Sequence, residues 1–306
     1  MSFTFEQQEQ RLNHICGSDA AVICGISPWN NIIKLWQEKT RLKVSEDISD
    51  DPRVKAGIML EPIVRAWFED VTGLKVDVHA EFIEHGTLSF LGGHVDGLVG
   101  DDAIFEAKTA GYDDGWGAQG ENIIPDHYLM QVAHYMMITD RKKAYVAVLI
   151  RGSDFRHYVI ERNYQLEKMI INQYKKFWEN VLTNIAPEPK NGDEVLSLYG
   201  YKSIAEPIVA DGDIQNDLDT LENIKQTLKK ANEVKDKLED RIKIYMGQKD
   251  TLLTLNGKIA ATWKQAQESV RFDLTAFKKE NKELHDKYVK SSTASRRFVL
   301  KQQEGL

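Results

Sequence analysis

Cysteine is scarce: Cys16 and Cys24 are the only two in 306 residues. Two thiols exclude a four-cysteine iron–sulfur cluster or structural zinc site built from this chain alone. Such sparse use suits a reducing compartment, so a cytoplasmic location is expected. No run of about 18 apolar residues occurs, and no membrane span is expected. The start, MSFTFEQQEQ, has no basic segment followed by an apolar one, so no secretory signal is expected either. A basic surplus is also missing: 40 Lys and Arg face 47 Asp and Glu, a net charge of −7. That balance argues at first against nucleic acid as a partner. The distribution softens the argument, because residues 1–200 carry −10 and residues 201–306 carry +3. Phosphate contacts need only a local basic strip.

What is present is a short stretch dense in chemistry, LGGHVDGLVGDDAIFEAK at 91–108. Gly100-Asp101-Asp102 reads as the turn of a β-hairpin. With that loop, Val99 pairs with Ala103 and, in the same register, Asp96 lies opposite Glu106. Glu106 and Lys108 are two apart on one strand and share a face. Carboxylates directly opposite each other, with Cβ atoms roughly 5 Å apart, repel. A cation between them resolves that conflict, and a lysine beside it points to hydrolysis rather than storage.

Around the hairpin the chain alternates helix and strand signals. Helical patterns are expected at 5–40, with Gly17-Ser18-Asp19 as an N-cap of the second helix and a short third pattern at 32–40. An acidic loop follows at 41–52. A helix over 53–73 carries Met59, Ile63, Trp67 and Val71 four apart and is closed by Gly73. Pro62 either kinks that helix or starts it, with Glu61 as N-cap. Strands are expected at 75–84, 88–99, 103–110, 143–150 and 155–162, a glycine-rich loop at 111–122, and helices at 125–140 and 163–184. Beyond 200 come a long polar helix at 213–248, a hairpin around Asn256-Gly257, a basic helix with Lys278, Lys279, Lys282, Lys287 and Lys290, and a strand-like tail at 296–301. The order implies an α/β fold, a central mixed β-sheet flanked by helices over 1–200, with a C-terminal α+β appendage over 201–306.

The pattern D-x9-E-x-K suits phosphodiester hydrolysis. That reaction needs a cation to neutralise the phosphate, an activated water and a group to orient it. Hard carboxylate oxygens suit Mg²⁺, with Mn²⁺ as a substitute. Asp96, Glu106 and the carbonyl of Ala107 are the candidate metal ligands. Glu61 is the extra carboxylate, and Lys108 holds the water or the phosphate. The pattern alone arises often by chance, but the register and the neighbouring Gly92, Gly93 and Gly97 argue against a merely solvated pair. His127 and His134, seven apart, read as ordinary polar or core histidines. Trp116, in the glycine-rich loop, reads either as a wedge against a terminal base pair or as a loop anchor. The C-terminal lysines read as a solvated face or a strip that tracks DNA backbone.

Five segments together resemble the YqaJ-type viral recombinase nucleases, the group that includes phage lambda exonuclease, within the PD-(D/E)xK superfamily. They are RLNHICGSDAAVICGISPW (11–29), KAGIMLEP (55–62), GHVDGLVG (93–100), FEAKT (105–109) and YLMQVAHYMMIT (128–139), in the family's order over about 10–185. The resemblance implies a restriction-endonuclease-like core with Asp96 and Glu106 as metal ligands, Lys108 as the catalytic lysine and Glu61 as the helical carboxylate. It implies that Arg11, Ser18 and Gln131 grip a 5′-terminal phosphate. Read without the family, Ser18 is equally a plain N-cap, and Arg11 and Gln131 are surface polar residues. His94 stands where the family has a small hydroxyl residue; it either reaches the phosphate or fills space. The implied activity is Mg²⁺-dependent 5′ to 3′ digestion of one strand of linear duplex DNA in a bacterial host cell. A phage single-strand annealing protein and a ring-shaped homo-oligomer are the implied partners. An endonuclease of the same superfamily and a non-catalytic DNA-end-binding protein are the alternatives.

Overall fold

The computed structural model describes residues 4–44, 48, 50–201, 203–290 and 296–301. Contacts divide the chain into two units, Met1–Gly200 and Tyr201–Leu306.

In the first unit, local chemistry sets the helix ends. α1 (Phe5–Asn13) opens with a capping box between Thr4 and Gln7. α2 (Gly17–Ile23) is capped at Cys16, not at Gly17-Ser18-Asp19. The Asp19 carboxylate reaches back to the Cys16 N–H (2.9 Å), which leaves Ser18 in the first turn with its side chain exposed. α3 (Ile32–Lys39) is capped by Asn31. α4 (Pro52–Thr72) has Asp51 as N-cap, Pro52 in its first turn and Gly73 at φ 70° as its left-handed stop. It runs unbroken through Pro62, which removes one backbone hydrogen bond beside Glu61.

The strands expected at 75–84 and 88–99 are mostly irregular. They shrink to β1 (Ile83–Glu84) and β2 (Gly92–Gly93), which pair antiparallel with each other, and β3 (Gly97–Val99), with an isolated bridge of Asp77 to Leu98. The strand residues that remain include glycines on whose backbone side chains of the same segments press. A Cβ on Gly92 would sit 2.5 Å from the Phe82 ring, and one on Gly97 would sit 2.4 Å from Val76. β4 (Ala103–Ala110), α5 (Asp126–Thr139), β5 (Lys143–Ile150), β6 (Asp154–Glu161) and α6 (Tyr164–Thr183) follow close to their expected bounds, and α7 (Gly192–Tyr199) is a helix the sequence reading did not include. The sheet order is β3-β4-β5-β6, with only the β4–β5 pair parallel. α5 is the crossover that a parallel pair requires.

The sheet is covered on both faces. Ala103 and Phe105 of β4 and Ala147 and Leu149 of β5 meet Val64 and Phe68 of α4. Ile104, Val146 and Val148 face the larger core with α2, α5 and α6. The stripe Met59, Ile63, Trp67 and Val71 therefore marks the helix correctly but not its buried side. Those four are 75%, 52%, 38% and 50% exposed, and Trp67 lies flat on Phe155 at 4.9 Å.

His134 is wholly buried, with Nδ1 against Tyr174 Oη (3.0 Å) and Nε2 against the Gly92 carbonyl (3.1 Å). Burial lowers its pKa from 6.5 to about 4, only partly offset by the Gly92 carbonyl. The folded protein thus keeps His134 neutral where the unfolded chain takes up a proton. Stability from this residue is complete above pH 6.5 and is lost as pH falls toward 4, by roughly 3 kcal/mol. Denaturant melts of the parent and His134→Gln across pH 4–7 measure this; the parent's curve is the steeper one.

In the second unit, α8 (Gly212–Met246) is capped by Asp211, and β7 (Thr251–Leu253) pairs antiparallel with β8 (Ile259–Thr262). The expected single basic helix is two short ones, α9 (Leu274–Glu280) and α10 (Lys282–Tyr288), broken at Asn281. Residues 296–301 form no strand. Among the described residues no helix is long and apolar enough to cross a membrane.

Candidate active site

The hairpin forms in the expected register, Val99 with Ala103 and Gly97 with Phe105. Gly100, at φ 55°, supplies the left-handed turn position. Asp96 stands one residue before the paired segment. Its Oδ2 accepts the Ala107 N–H at 2.9 Å, which ties it to the strand that carries Glu106. Glu106 is 2% exposed. Its Oε1 accepts from Lys108 Nζ (2.5 Å) and Gln131 Nε2 (3.0 Å), whereas Oε2 is buried with no hydrogen-bond partner. Glu61 comes from α4, with Arg65 one turn on at 3.8 Å.

These groups feel one another. Burial and then the charge of Asp96 raise the pKa of Glu106, against the pull of Lys108. Burial raises that of Asp96, opposed by Lys108 and the Ala107 N–H. Glu61 is raised by burial and by Asp96, with Arg65 and Lys108 opposing. Burial works against the charge of Lys108, but Glu106 and Asp96 outweigh it and the ammonium is held. Three carboxylates whose pKa values are all raised form a site short of positive charge, and one oxygen of Glu106 is buried in it without a partner.

Among the described residues no three His, Cys, Asp or Glu side chains are close enough to enclose a metal ion. Mg²⁺ binds through one or two carboxylates and keeps several waters. Asp96 and Glu106 would hold it with the Ala107 carbonyl, and Glu61 would act through water.

Arg11 and Ser18 come together, with Nη2 3.4 Å from Oγ. Gln131 does not join them directly. It spans Glu106 and Tyr135 Oη (3.1 Å), and the Tyr135 ring lies on the backbone of Gly17, where a Cβ would sit 2.4 Å from it. Only glycine permits that approach, and Tyr135 and Gln131 thereby link the first turn of α2, where Ser18 sits, to Glu106. Lys39 underpins the Arg11–Ser18 pair, donating to the carbonyls of Arg11 (2.5 Å) and His14 (2.6 Å) and to Asp19 Oδ2 (2.6 Å). His94 donates from Nδ1 to the Ala80 carbonyl (3.2 Å) and packs edge-on to Phe82; its Nε2 is buried without a partner.

Trp116 is an anchor and not a wedge. It is 7% exposed and stacks on Tyr158 at 5.6 Å. The exposed tryptophan near the site is Trp29, against His127 and Tyr128. Sequence reading missed Arg65, Tyr128, Tyr135 and the Asp19–Lys39 pair. For Arg65 and Tyr135 a signal existed, since each lies one helical turn after a flagged residue, Glu61 and Gln131.

The YqaJ-like viral recombinase domain matches residues 6–142, which contain the whole cluster. A protein of Bacillus subtilis (strain 168) described as uncharacterized protein YqaJ is 34% identical over 307 residues, covering 96% of this chain and 92% of its own. This chain belongs to the YqaJ-like viral recombinase family. Among solved structures, the fold is similar to that of an alkaline exonuclease from Laribacter hongkongensis, at 23% identity and a TM-score of 0.50 over 60% of this chain and 94% of that one. The matched residues thus include the β3–β4 hairpin, α4 and α5, which hold Asp96, Glu106, Lys108, Glu61 and Gln131, whereas β5 and β6 lie beyond the match.

Proposed function

We propose that this YqaJ-like protein is a Mg²⁺-dependent deoxyribonuclease that digests one strand of linear duplex DNA from its 5′ end and leaves a 3′ single strand. The observation that carries this reading is the Asp96–Glu106–Lys108 cluster, with its unpartnered buried carboxylate oxygen, on a hairpin of a viral recombinase domain. The D-x9-E-x-K arrangement is that of a PD-(D/E)xK nuclease core, and the fold shared with an alkaline exonuclease agrees with it.

When bound, a divalent cation neutralises charge on the scissile phosphate and eases deprotonation of the attacking water. The protein's own groups do the rest. Lys108, held charged by Glu106 and Asp96, donates hydrogen bonds to the phosphate as negative charge builds on it. Gln131 orients the Glu106 carboxylate. Arg11 and Ser18 receive the 5′-phosphate, which sets the end from which digestion starts. A phage single-strand annealing protein is the fitting recipient of the 3′ strand.

The test is a labelled linear duplex with Mg²⁺, with and without a 5′-phosphate, beside a closed circular duplex. The linear phosphorylated end is digested and the circle stays closed. Linearised circle would mark an endonuclease, and binding without cleavage an end-binding protein. Arg11→Ala is expected to erase the preference for phosphorylated over hydroxyl ends, about tenfold or more, through loss of a charge-assisted contact. Equal use of both ends by the parent removes the phosphate-pocket assignment.

A further inference from the structure

We propose that Trp29 is a stacking platform for a nucleobase of the DNA beside the scissile phosphate. The inference rests on the deoxyribonuclease reading above and adds to it a residue that handles the base rather than the phosphate.

Trp29 is 67% exposed, whereas Trp36 and Trp116 are buried at 5% and 7%. Its position is nevertheless well defined. It sits in the turn between α2 and α3, where Ser27 Oγ accepts the N–H of both Trp29 and Asn30 at 3.3 Å, and Asn30 Oδ1 accepts the N–H of Asn31 at 2.9 Å. Pro28 restricts the backbone just before it. The indole lies at 89° to the His127 ring at 4.8 Å and tilted to Tyr128 at 6.1 Å, with His127 and Tyr128 themselves 4.1 Å apart.

The far side of this aromatic group is the active site. Lys108 Nζ lies 5.0 Å from the centre of the Tyr128 ring. With Tyr128 6.1 Å from Trp29, the indole is at most 11.1 Å from that ammonium. Stacked nucleotides rise about 3.4 Å each along a strand, so the indole is within about three nucleotides of a phosphate at Lys108. Scattered surface aromatics are common and carry no meaning singly. This one is different because it stands on a hydrogen-bonded turn, is mostly uncovered and is linked through the Tyr128 ring to the lysine of the site. Stacking on an indole is nearly independent of base identity, which suits an enzyme that must digest any sequence.

The experiment places 2-aminopurine at the first, second or third position from the 5′ end of a phosphorylated duplex. Binding is followed by its fluorescence, with Ca²⁺ in place of Mg²⁺. The parent and Trp29→Phe are expected to change the fluorescence at one position. Trp29→Ala is expected to lose that change and bind about tenfold more weakly, with an unaltered thermal melt. If Trp29→Ala matches the parent in signal and affinity while the parent digests DNA in Mg²⁺, the platform is overturned and the nuclease reading stands. A parent that neither binds nor digests duplex ends overturns both.

Discussion

Lys108→Ala is expected to lower DNA cleavage about a thousandfold, the scale of losing one preorganised donor to transition-state charge, while the protein stays folded and binds duplex ends nearly as the parent does. The fold should survive because β4 is anchored away from this side chain. It pairs with β5 along its whole length, Glu106 with Val146 and Lys108 with Val148. Removing the ammonium also removes the main influence that lowers the Glu106 pKa, so burial and Asp96 push that carboxyl further toward its neutral form. Lys108→Arg should fail as well, since a planar guanidinium does not replace a compact ammonium in a site that holds Nζ 2.5 Å from Glu106 Oε1. Asp96→Ala should match the loss while leaving the Ala107 N–H without its acceptor. Single-turnover cleavage read beside gel-shift affinity separates chemistry from binding. Cleavage by Lys108→Ala within tenfold of the parent would remove the lysine from the mechanism.

Lys39→Met should lower stability by roughly 3–5 kcal/mol, the usual cost of removing one partner of a buried ion pair. The side chain of Lys39 is 4% exposed and that of Asp19 6%. The ammonium meets three acceptors, Asp19 and the carbonyls of Arg11 and His14. Burial opposes the Asp19 charge, but Lys39, Arg11 and the Cys16 N–H outweigh it and hold its pKa low. Methionine fills the volume and satisfies none of these groups. For a unit of this size the melting temperature should fall by on the order of 10 °C. Asp19→Asn in the same chain should recover part of the loss, because it removes the stranded charge and keeps an acceptor for Cys16. End preference distinguishes the roles: Arg11→Ala changes it with a smaller shift of the melt than Lys39→Met, because Lys39 exerts the larger of the two pulls on Asp19. A melt shifted by less than 2 °C would show that the pair is dispensable.

The parts of the site readable in advance were those decided by neighbours in the chain. The Gly100-Asp101-Asp102 turn fixes the hairpin register within a few residues, and the register places Asp96 beside Glu106. Gly73 stops α4 by its left-handed backbone, again a local matter. The segments at 75–84 and 88–99 alternate like strands, yet only Ile83–Glu84, Gly92–Gly93 and Gly97–Val99 pair as strands.

Side-chain spacing and turn chemistry alone thus specified most of the helices of the first unit, the hairpin and the shared face of Glu106 and Lys108, since each depends on residues a few positions apart. Packing in three dimensions decided the remainder. On α4 two four-residue stripes compete, and only the sheet's position selects Val64 and Phe68 over Met59 and Ile63. Trp116 went inside and Trp29 stayed out because Tyr158 covers one and the α2–α3 turn lifts the other. Gln131 serves Glu106 because the β4–β5 crossover lays α5 over that strand. Such choices depend on surfaces from distant parts of the chain, whose arrangement no local pattern encodes.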